Sequence, residues 1–369
     1  MAKFKAPKKN KLKISACYIV KNAAEDLKVS LQSLKKFVDE IIVVDTGSSD
    51  ETVEVAESFG AKIFVDMWHD DFSDPRNIAL KNSSGNWIVF PDADEYFTAE
   101  TAKNLRAIIE RADSVKKTGL LVNLVNIDKD NGNKILDSTY VLRIFKKLPG
   151  IRYVGKIHEE LRIGKKNLSD VVFVPANLLT IYHTGYSANL SRSKAERNLK
   201  MLLAELETTD EPERIYAYIA ECYDGLEDYE NAEKFARLDI ETGKKNTTFS
   251  SVSYRILLNL LAKDFSRLDD RKEIAALAVE TFPDLPEFTA ELAECHAAAG
   301  DFETAAKTMQ KALEKFQNYK GMEPSIFNSE TAKFAESRMK MFEQKSTGGQ
   351  PGSYACGDYV RRNLRRTGH

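Results

Sequence analysis

Ile88-Val89-Phe90-Pro91-Asp92-Ala93-Asp94-Glu95-Tyr96-Phe97 is an apolar run that ends in three carboxylates within four positions. It follows the turn-forming Asn82-Ser83-Ser84-Gly85-Asn86, so its apolar part reads as a short buried strand with acids at the carboxyl end. Open α/β sheets hold their ligands at that end. With an extended backbone, Asp92 and Asp94 share one face and can offer oxygen ligands to one divalent cation, while Glu95 points elsewhere. A solvated acidic turn after a core strand is the alternative, and the surroundings of the stretch decide between them. Pro91 cannot donate to a ladder, which predicts an edge or a bulge at this strand's end.

Upstream, residues 12–20 read as a first strand, 27–37 as an amphipathic helix and 40–44 as a second buried strand, a β-α-β start. The second strand runs into Asp45-Thr46-Gly47-Ser48-Ser49-Asp50, ahead of a helical pattern over 51–59. A strand-end carboxylate, a tight-turn glycine and small hydroxyl residues before a helix suit a nucleotide. The spacing is neither a dinucleotide fingerprint nor a P-loop. An ordinary loop with Ser49 or Asp50 capping the helix satisfies the same residues. Residues 61–65 supply a third strand, and the loop Trp68 to Asn77 opens a helix with Arg76 near its start. Arg76 there can face an anion, or it can pair with a neighbouring carboxylate.

Downstream, residues 98–111 read as one helix. Residues 119–126 and 134–136 form a hairpin around Asn131-Gly132, and 140–145 read as a further strand. Then comes Tyr153-Val154-Gly155-Lys156-Ile157-His158-Glu159-Glu160-Leu161. If that segment is extended, Glu159 and Glu160 lie on opposite faces and only one of them can serve a given site. Strands at 171–174 and 178–182 end in His183-Thr184-Gly185-Tyr186-Ser187, where a packed strand-end histidine is the ordinary expectation.

From Ser191 the strand signals stop. Residues 191–208 read as a connecting helix. Residues 213–241 fit a tetratricopeptide repeat with Tyr216, Ile219, Ala220, Tyr223, Ala232 and Ala236 at packing positions. Residues 289–316 fit again through Leu292, Ala293, His296, Ala305 and Ala312, with a degenerate repeat over 254–282 between them. His296, at a packing position, is given no chemistry.

Fifty-four Lys plus Arg balance 56 Asp plus Glu, which supplies no general argument for nucleic-acid binding. No apolar run is long enough to span a bilayer, and the lysine-rich start is wrong for a secretory signal. Cys17, Cys222, Cys295 and Cys356 lack metal or disulfide spacing. A cytoplasmic protein is expected, at most peripheral at the inner face of a membrane. Lys3, Lys5, Lys8, Lys9, Lys11 and Lys13, with Arg361, Arg362, Arg365 and Arg366, make basic ends that are either solvated tails or anion contacts.

Cys17 to Asn22, Asp39 to Thr52, Phe72 to Asn77 and Pro91 to Glu95 together resemble glycosyltransferase family 2, and within it the bacterial members with a tetratricopeptide-repeat tail. The resemblance implies an α/β, Rossmann-like GT-A domain for nucleotide-diphospho-sugars, followed by an all-α repeat domain. The expected organisation is a basic arm (1–12), a GT-A domain (13–190), a helical domain (191–345) and a basic tail (346–369). It also implies an inverting transfer from a nucleotide sugar, a UDP-sugar first among them, with Mn²⁺ or Mg²⁺ as cofactor. By resemblance Val20, Asn22, Asp45, Arg76 and Asp92 bind the donor, and Asp94, Asp92 and His183 hold the metal. Glu159 is the general base with Glu160 the fallback. Pro91 departs from the family, which more often has an aliphatic or polar residue there. The acceptor is a polysaccharide, a lipid-linked glycan or a protein or peptide, and the repeats serve it, brace the domain or join two copies. Two further readings are a nucleotidyltransferase, which lacks its Gly-rich basic loop here, and a non-catalytic repeat adaptor, against which the intact acids argue.

Overall fold

The computed structural model describes residues 11–184, 191–243, 250–321, 323 and 325–348. The expectations for Gly185-Tyr186-Ser187, for the N-terminal lysines up to Lys9, for Cys356 and for the C-terminal arginines fall outside those residues. The chain divides into two compact units, Met1–Leu190 and Ser191–His369.

The first unit carries strands β1 (Ile14–Val20), β2 (Glu40–Asp45), β3 (Lys62–Val65), β4 (Trp87–Val89), β5 (Glu95–Phe97), β6 (Gly119–Asp128), β7 (Lys134–Lys146), β8 (Ile151–Val154), β9 (Glu160–Ile163), β10 (Lys166–Asn167), β11 (Val171–Phe173) and β12 (Thr180–His183). Its helices are α1 (Ala24–Leu34), α2 (Thr52–Ser58), α3 (Ser73–Asn82), α4 (Ala99–Ala102) and α5 (Leu105–Ser114). The main sheet runs β3-β2-β1-β4-β7-β6-β12-β5, with β11 beside β6, and β8 to β10 form a small second sheet. β1 is parallel to β2 and β4, whereas β7 is antiparallel to β4 and β6. A parallel half joined to an antiparallel half is the GT-A arrangement that the resemblance implied.

Alternation along the central strands feeds two cores. Ala16, Tyr18, Trp87 and Val89 pack with Leu27, Leu31, Leu105 and Ile109 of α1 and α5. Cys17, Ile88 and Phe90 pack on the other face with Ala79 and Leu80 of α3. Burying each larger side chain contributes roughly 1.5–3 kcal/mol, which is why these strands read as continuous apolar runs.

Several local expectations change. β4 lies between β1 and β7, so Pro91 is on no edge. The ladder stops at Val89, and the Phe90 amide makes one more bond to the Arg143 carbonyl at 2.7 Å, so the missing donor of Pro91 costs no pairing. α1 begins before residue 27 because the Ala23 and Ala24 amides are taken by Thr52 Oγ1 and Asp50 Oδ2 of the neighbouring loop. The helix expected over 98–111 divides into α4, capped by Thr98, and α5. The strands expected at 134–136 and 140–145 are one thirteen-residue strand, β7. Its length matters because it carries Arg143 alongside β4.

The second unit is helical: α6 (Ser191–Leu206), α7 (Tyr216–Gly225), α8 (Tyr229–Glu241), α9 (Val252–Leu261), α10 (Leu268–Thr281), α11 (Pro286–Ala298), α12 (Phe302–Asn318) and α13 (Ser329–Ser346). Three consecutive pairs of contacting helices, α7/α8, α9/α10 and α11/α12, fall at the positions of the two expected repeats and the degenerate one between them. Asp228 and Asp301 cap the second helix of the first and third pairs. Alanines at close crossings, among them Ala220, Ala236, Ala275, Ala293 and Ala312, are fully buried. Leu292 and His296 are only half-buried, and the inward positions of α11 go instead to Phe288, Glu291, Glu294 and Cys295. No described helix is long and apolar enough to cross a membrane.

Candidate active site

The carboxyl ends of β1, β2 and β4 carry the residues singled out in the sequence. Val20 and Asp45 are paired in register, and the Val20 carbonyl accepts from the Thr46 amide at 2.9 Å and from Thr46 Oγ1 at 3.0 Å. Asp45 is buried. Its carboxylate accepts from the Gly47 amide at 3.1 Å, from the Ser48 amide and from Ser48 Oγ. Gly47 has φ +100°, and a Cβ there would press on the Met67 methyl at 2.9 Å, so this turn requires glycine. Asn22, itself at φ 50°, ties the two loops together: its amide donates to Ser48 Oγ and its Oδ1 accepts from the Ser49 amide at 2.7 Å. Neither Ser49 nor Asp50 is the helix cap expected. Asp50 bonds Thr52 and Ala24 instead, clamping α2 to α1.

The acids after β4 do not follow the extended path expected for them. The chain turns at Ala93 and Asp94, with the Glu95 amide bonded to the Asp92 carbonyl at 3.1 Å, so alternation does not bring Asp92 and Asp94 together. Each has its own partners. Asp92 Oδ1 accepts from Arg76 Nη2 at 2.9 Å and Oδ2 from Arg143 Nη2 at 2.5 Å. Burial pushes this carboxyl upward, but the Arg143 and Arg76 guanidiniums outweigh it and hold Asp92 well below the usual carboxylate range. The expectation that Asp92 ligates a metal therefore meets two arginines already on its oxygens. Glu95 is fully buried, and it does not point away from Asp92 as expected: both carboxylates meet Arg143 Nη2, and Glu95 Oε2 accepts the Asp92 amide at 3.1 Å.

Asp94 Oδ2 lies 3.2 Å from His183 Nε2, and His183 Nδ1 lies 2.8 Å from Asn126 Oδ1. β5 and β12 bring them together: Glu95 is paired with His183, and the Thr184 amide bonds the Asp94 carbonyl at 3.0 Å. Among the described residues no group of three His, Cys, Asp or Glu side chains is gathered for a metal. A carboxylate beside an imidazole is nevertheless a donor pair suited to Mn²⁺, and with added oxygens to Mg²⁺.

Arg76 is buried on α3. Its guanidinium sits over the rings of Phe90 and Tyr153, 4.9 and 5.4 Å from their centroids, and its Nε bonds Glu159 Oε1. Arg76 thus bridges Asp92 to Glu159, the second of the two readings given for it, pairing with neighbouring carboxylates. The alternation argument for the two glutamates fails, because His158 takes φ 50° and β9 starts only at Glu160. They separate all the same: Glu159 goes to Arg76, while Glu160 goes to Arg162 two residues along its own strand, with Nε 2.8 Å from Oε2. Sequence reasoning missed Arg143, Asn126 and Tyr153. Arg143 lies inside an apolar strand pattern, and only the charge at an inward position marked it.

Residues 15–176 match the model of glycosyl transferase family 2, and they form a domain of that family. A TPR repeat-containing protein of Synechococcus elongatus is 31% identical over 67% of this chain and 60% of its own length. The SPbeta prophage-derived glycosyltransferase SunS of Bacillus subtilis is 30% identical over 51% of this chain and 44% of its own. The chain thus spans about half the length of the curated relatives it matches. The crystal structure of S. aureus TarS 1-349 in complex with UDP-GlcNAc aligns over 94% of this chain and 95% of that one at 16% identity and TM-score 0.38, too remote to carry residue roles across.

Proposed function

We propose that the protein is an inverting, metal-dependent glycosyltransferase that moves a sugar from a nucleotide-diphosphate donor, a UDP-sugar first, to a polysaccharide, lipid-linked glycan or protein or peptide acceptor. The observation that carries this reading is the pairing of Arg76 with Asp92 and of His183 with Asp94 at one strand end, inside a family 2 domain. In this reading residues 13–190 perform the transfer at the cytoplasmic side. Residues 191–345 hold the acceptor, brace the domain or join two copies.

Val20, Asn22 and Asp45 would bound the nucleoside, with Arg76 toward the diphosphate. Asp94 and His183 would hold Mn²⁺ or Mg²⁺, which when bound neutralises charge gathering on the departing nucleotide. The acceptor attacks the anomeric carbon from the face opposite the nucleotide. One bond forms there as the carbon–oxygen bond to the diphosphate breaks, and the acceptor's proton passes to a carboxylate. Glu159, the base favoured by resemblance, is bonded to a buried guanidinium that also bonds Asp92. Glu160 is likewise bonded to a guanidinium, that of Arg162, so the base stays Glu159 with Glu160 as the fallback.

The test is thermal shift with a panel of nucleotide sugars, with and without Mn²⁺ or Mg²⁺, followed by transfer assays. A matching donor at a hundred times its Kd stabilises the fold by about 2.7 kcal/mol, and Asp94→Ala removes the metal-dependent part. Glu159→Gln keeps metal-dependent donor binding and loses transfer. No shift across the common donors with either metal overturns the function, and normal transfer by Glu159→Gln overturns the base.

A further inference from the structure

Arg143 stands on β7, far in sequence from the acids it meets, and it holds the segment after β4 in two ways. Its carbonyl accepts the Phe90 amide at 2.7 Å. Its guanidinium donates through Nη2 to Glu95 Oε1 at 2.6 Å and through Nε to Glu95 Oε2 at 2.9 Å, a two-pronged fit to a carboxylate that is fully buried. Nη2 also reaches Asp92 Oδ2 at 2.5 Å, and Glu95 Oε2 accepts the Asp92 amide at 3.1 Å. Asp92 is therefore fixed by its backbone and by one oxygen, with the other oxygen left to Arg76 at 2.9 Å.

We propose that Arg143 and Glu95 are positioning residues of the donor site. They fix the Asp92 carboxylate as an anchor for Arg76, which gives Nε to Glu159 and Nη2 to Asp92 and keeps its buried Nη1, without a partner among the described residues, for the donor's diphosphate, and they leave metal binding to Asp94 and His183. The inference rests on the functional reading above. Buried carboxylates that orient a ligand-binding cation do so through distance and angle, so replacing the fork of Arg143 by a point charge disturbs Arg76 without removing charge. For Asp92 to turn to a metal instead, it would have to leave two charge-assisted bonds.

The test compares Asp92→Asn, Asp94→Asn, Arg143→Lys and Glu95→Gln in the full chain, each checked by melting. Mn²⁺ binding is read by electron paramagnetic resonance, UDP binding by calorimetry and the donor's KM and kcat by transfer assay. Asp94→Asn weakens Mn²⁺ binding by about tenfold or more, whereas Asp92→Asn leaves it within about twofold and weakens UDP binding instead. Arg143→Lys raises the donor KM by about tenfold with kcat nearly kept, and the Asp92→Asn/Arg143→Lys double variant is no worse than the worse single one. Equal loss of Mn²⁺ in Asp92→Asn and Asp94→Asn overturns the proposal, as does a wild-type donor KM in Arg143→Lys. If Arg143→Lys does not fold, Glu95→Gln makes the same comparison, and a wild-type KM there overturns it. A wild type that transfers no sugar sinks the functional reading alone, since the Mn²⁺ and UDP titrations still decide the roles of Asp92 and Arg143.

Discussion

Two parts of the molecule bury arginine–carboxylate pairs, and they use them differently. On α11, Glu287, Glu291 and Glu294 share one face and meet Arg255 of α9, Arg271 of α10 and Arg338 of α13. Arg271 and Glu291 are both 2% exposed, and Glu287 takes further bonds from Ser325 Oγ and the Ile326 amide. At the end of β4, by contrast, Asp92 and Asp94 keep 35% and 31% of their side-chain surface in solvent while arginine and histidine hold them from below. The pairs on α11 are closed or nearly so, Arg338 alone keeping 13% of its side chain in solvent, and they specify which helices lie together. Those of the sheet are held on one side and open on the other, the arrangement a ligand needs.

The largest effect that tests this contrast comes from removing one cation in each place. Arg271→Met leaves Glu291 buried and unpaired, and it lowers stability by about 3–5 kcal/mol, read from the urea midpoint of the helical circular dichroism. Arg271→Met with Glu291→Leu restores most of that loss, because replacing both charges by apolar groups removes the stranded ion. Arg76→Met leaves Asp92 with Arg143 and strands only Glu159, whose side chain keeps 12% of its surface in solvent against 2% for Glu291, so it lowers donor binding with a smaller stability loss. If Arg76→Met unfolds the chain as severely as Arg271→Met does, the two kinds of pair are not different.

How much of this could be read beforehand follows the same division. The β-α-β start, the Asp45 loop and the acids after β4 were legible because each is local: an apolar run, a turn, a charge at its end. A cation site at Asp92 and Asp94 was read from alternation, whereas the roles of His183 and of the base came only through the resemblance. Arg143 was invisible because antiparallel pairing of β7 with β4, not spacing, brings it to Asp92. The turn at Ala93 and Asp94 escaped because alternation assumes an extended chain. The glutamates of α11 carried no reading in the sequence, since their partners come from three other helices. Alanine and aromatic spacing found the helix pairs, but Leu292 and His296 were placed inward where charged residues are buried instead.

The opposite end of the sheet offers a middle-sized test. Glu40 accepts from Ser15 Oγ, from the Ser84 amide and hydroxyl, from the Gly85 amide at 3.1 Å and from Lys62 Nζ at 3.1 Å, locking the amino ends of β1 and β2 to the loop before β4. Burial raises its pKa, but the bonds from Ser15 and Ser84 and then Lys62 outweigh it, and the group falls to about 2. Because the folded value lies below the unfolded one, this stability is present above the ordinary glutamate pKa and is lost as pH falls toward about 2. Glu40→Gln destabilises the sheet unit by about 2 kcal/mol at neutral pH and flattens its acid limb between about pH 4.5 and pH 2, read by tryptophan fluorescence. An unchanged acid limb would make Glu40 a surface acid and the closed end of the sheet no different from the open one.

The smallest effect sets the histidine of one unit against that of the other. Burial works against the charged form of His183, but the bond and the charge of Asp94 outweigh it, and the pKa rises. At His296 burial also disfavours the charge, and Lys272 adds to it against only Asp301, so the pKa falls. A histidine whose folded pKa lies below its unfolded value stays neutral while the unfolded chain takes up the proton, so stability declines as pH drops through about 6.5. His296→Gln removes that decline. Partial exposure screens the group, so the difference between wild type and variant midpoints at about pH 7.5 and pH 5.5 amounts to less than about 1 kcal/mol. An identical slope in the variant would mean that burial and Lys272 do not act on His296.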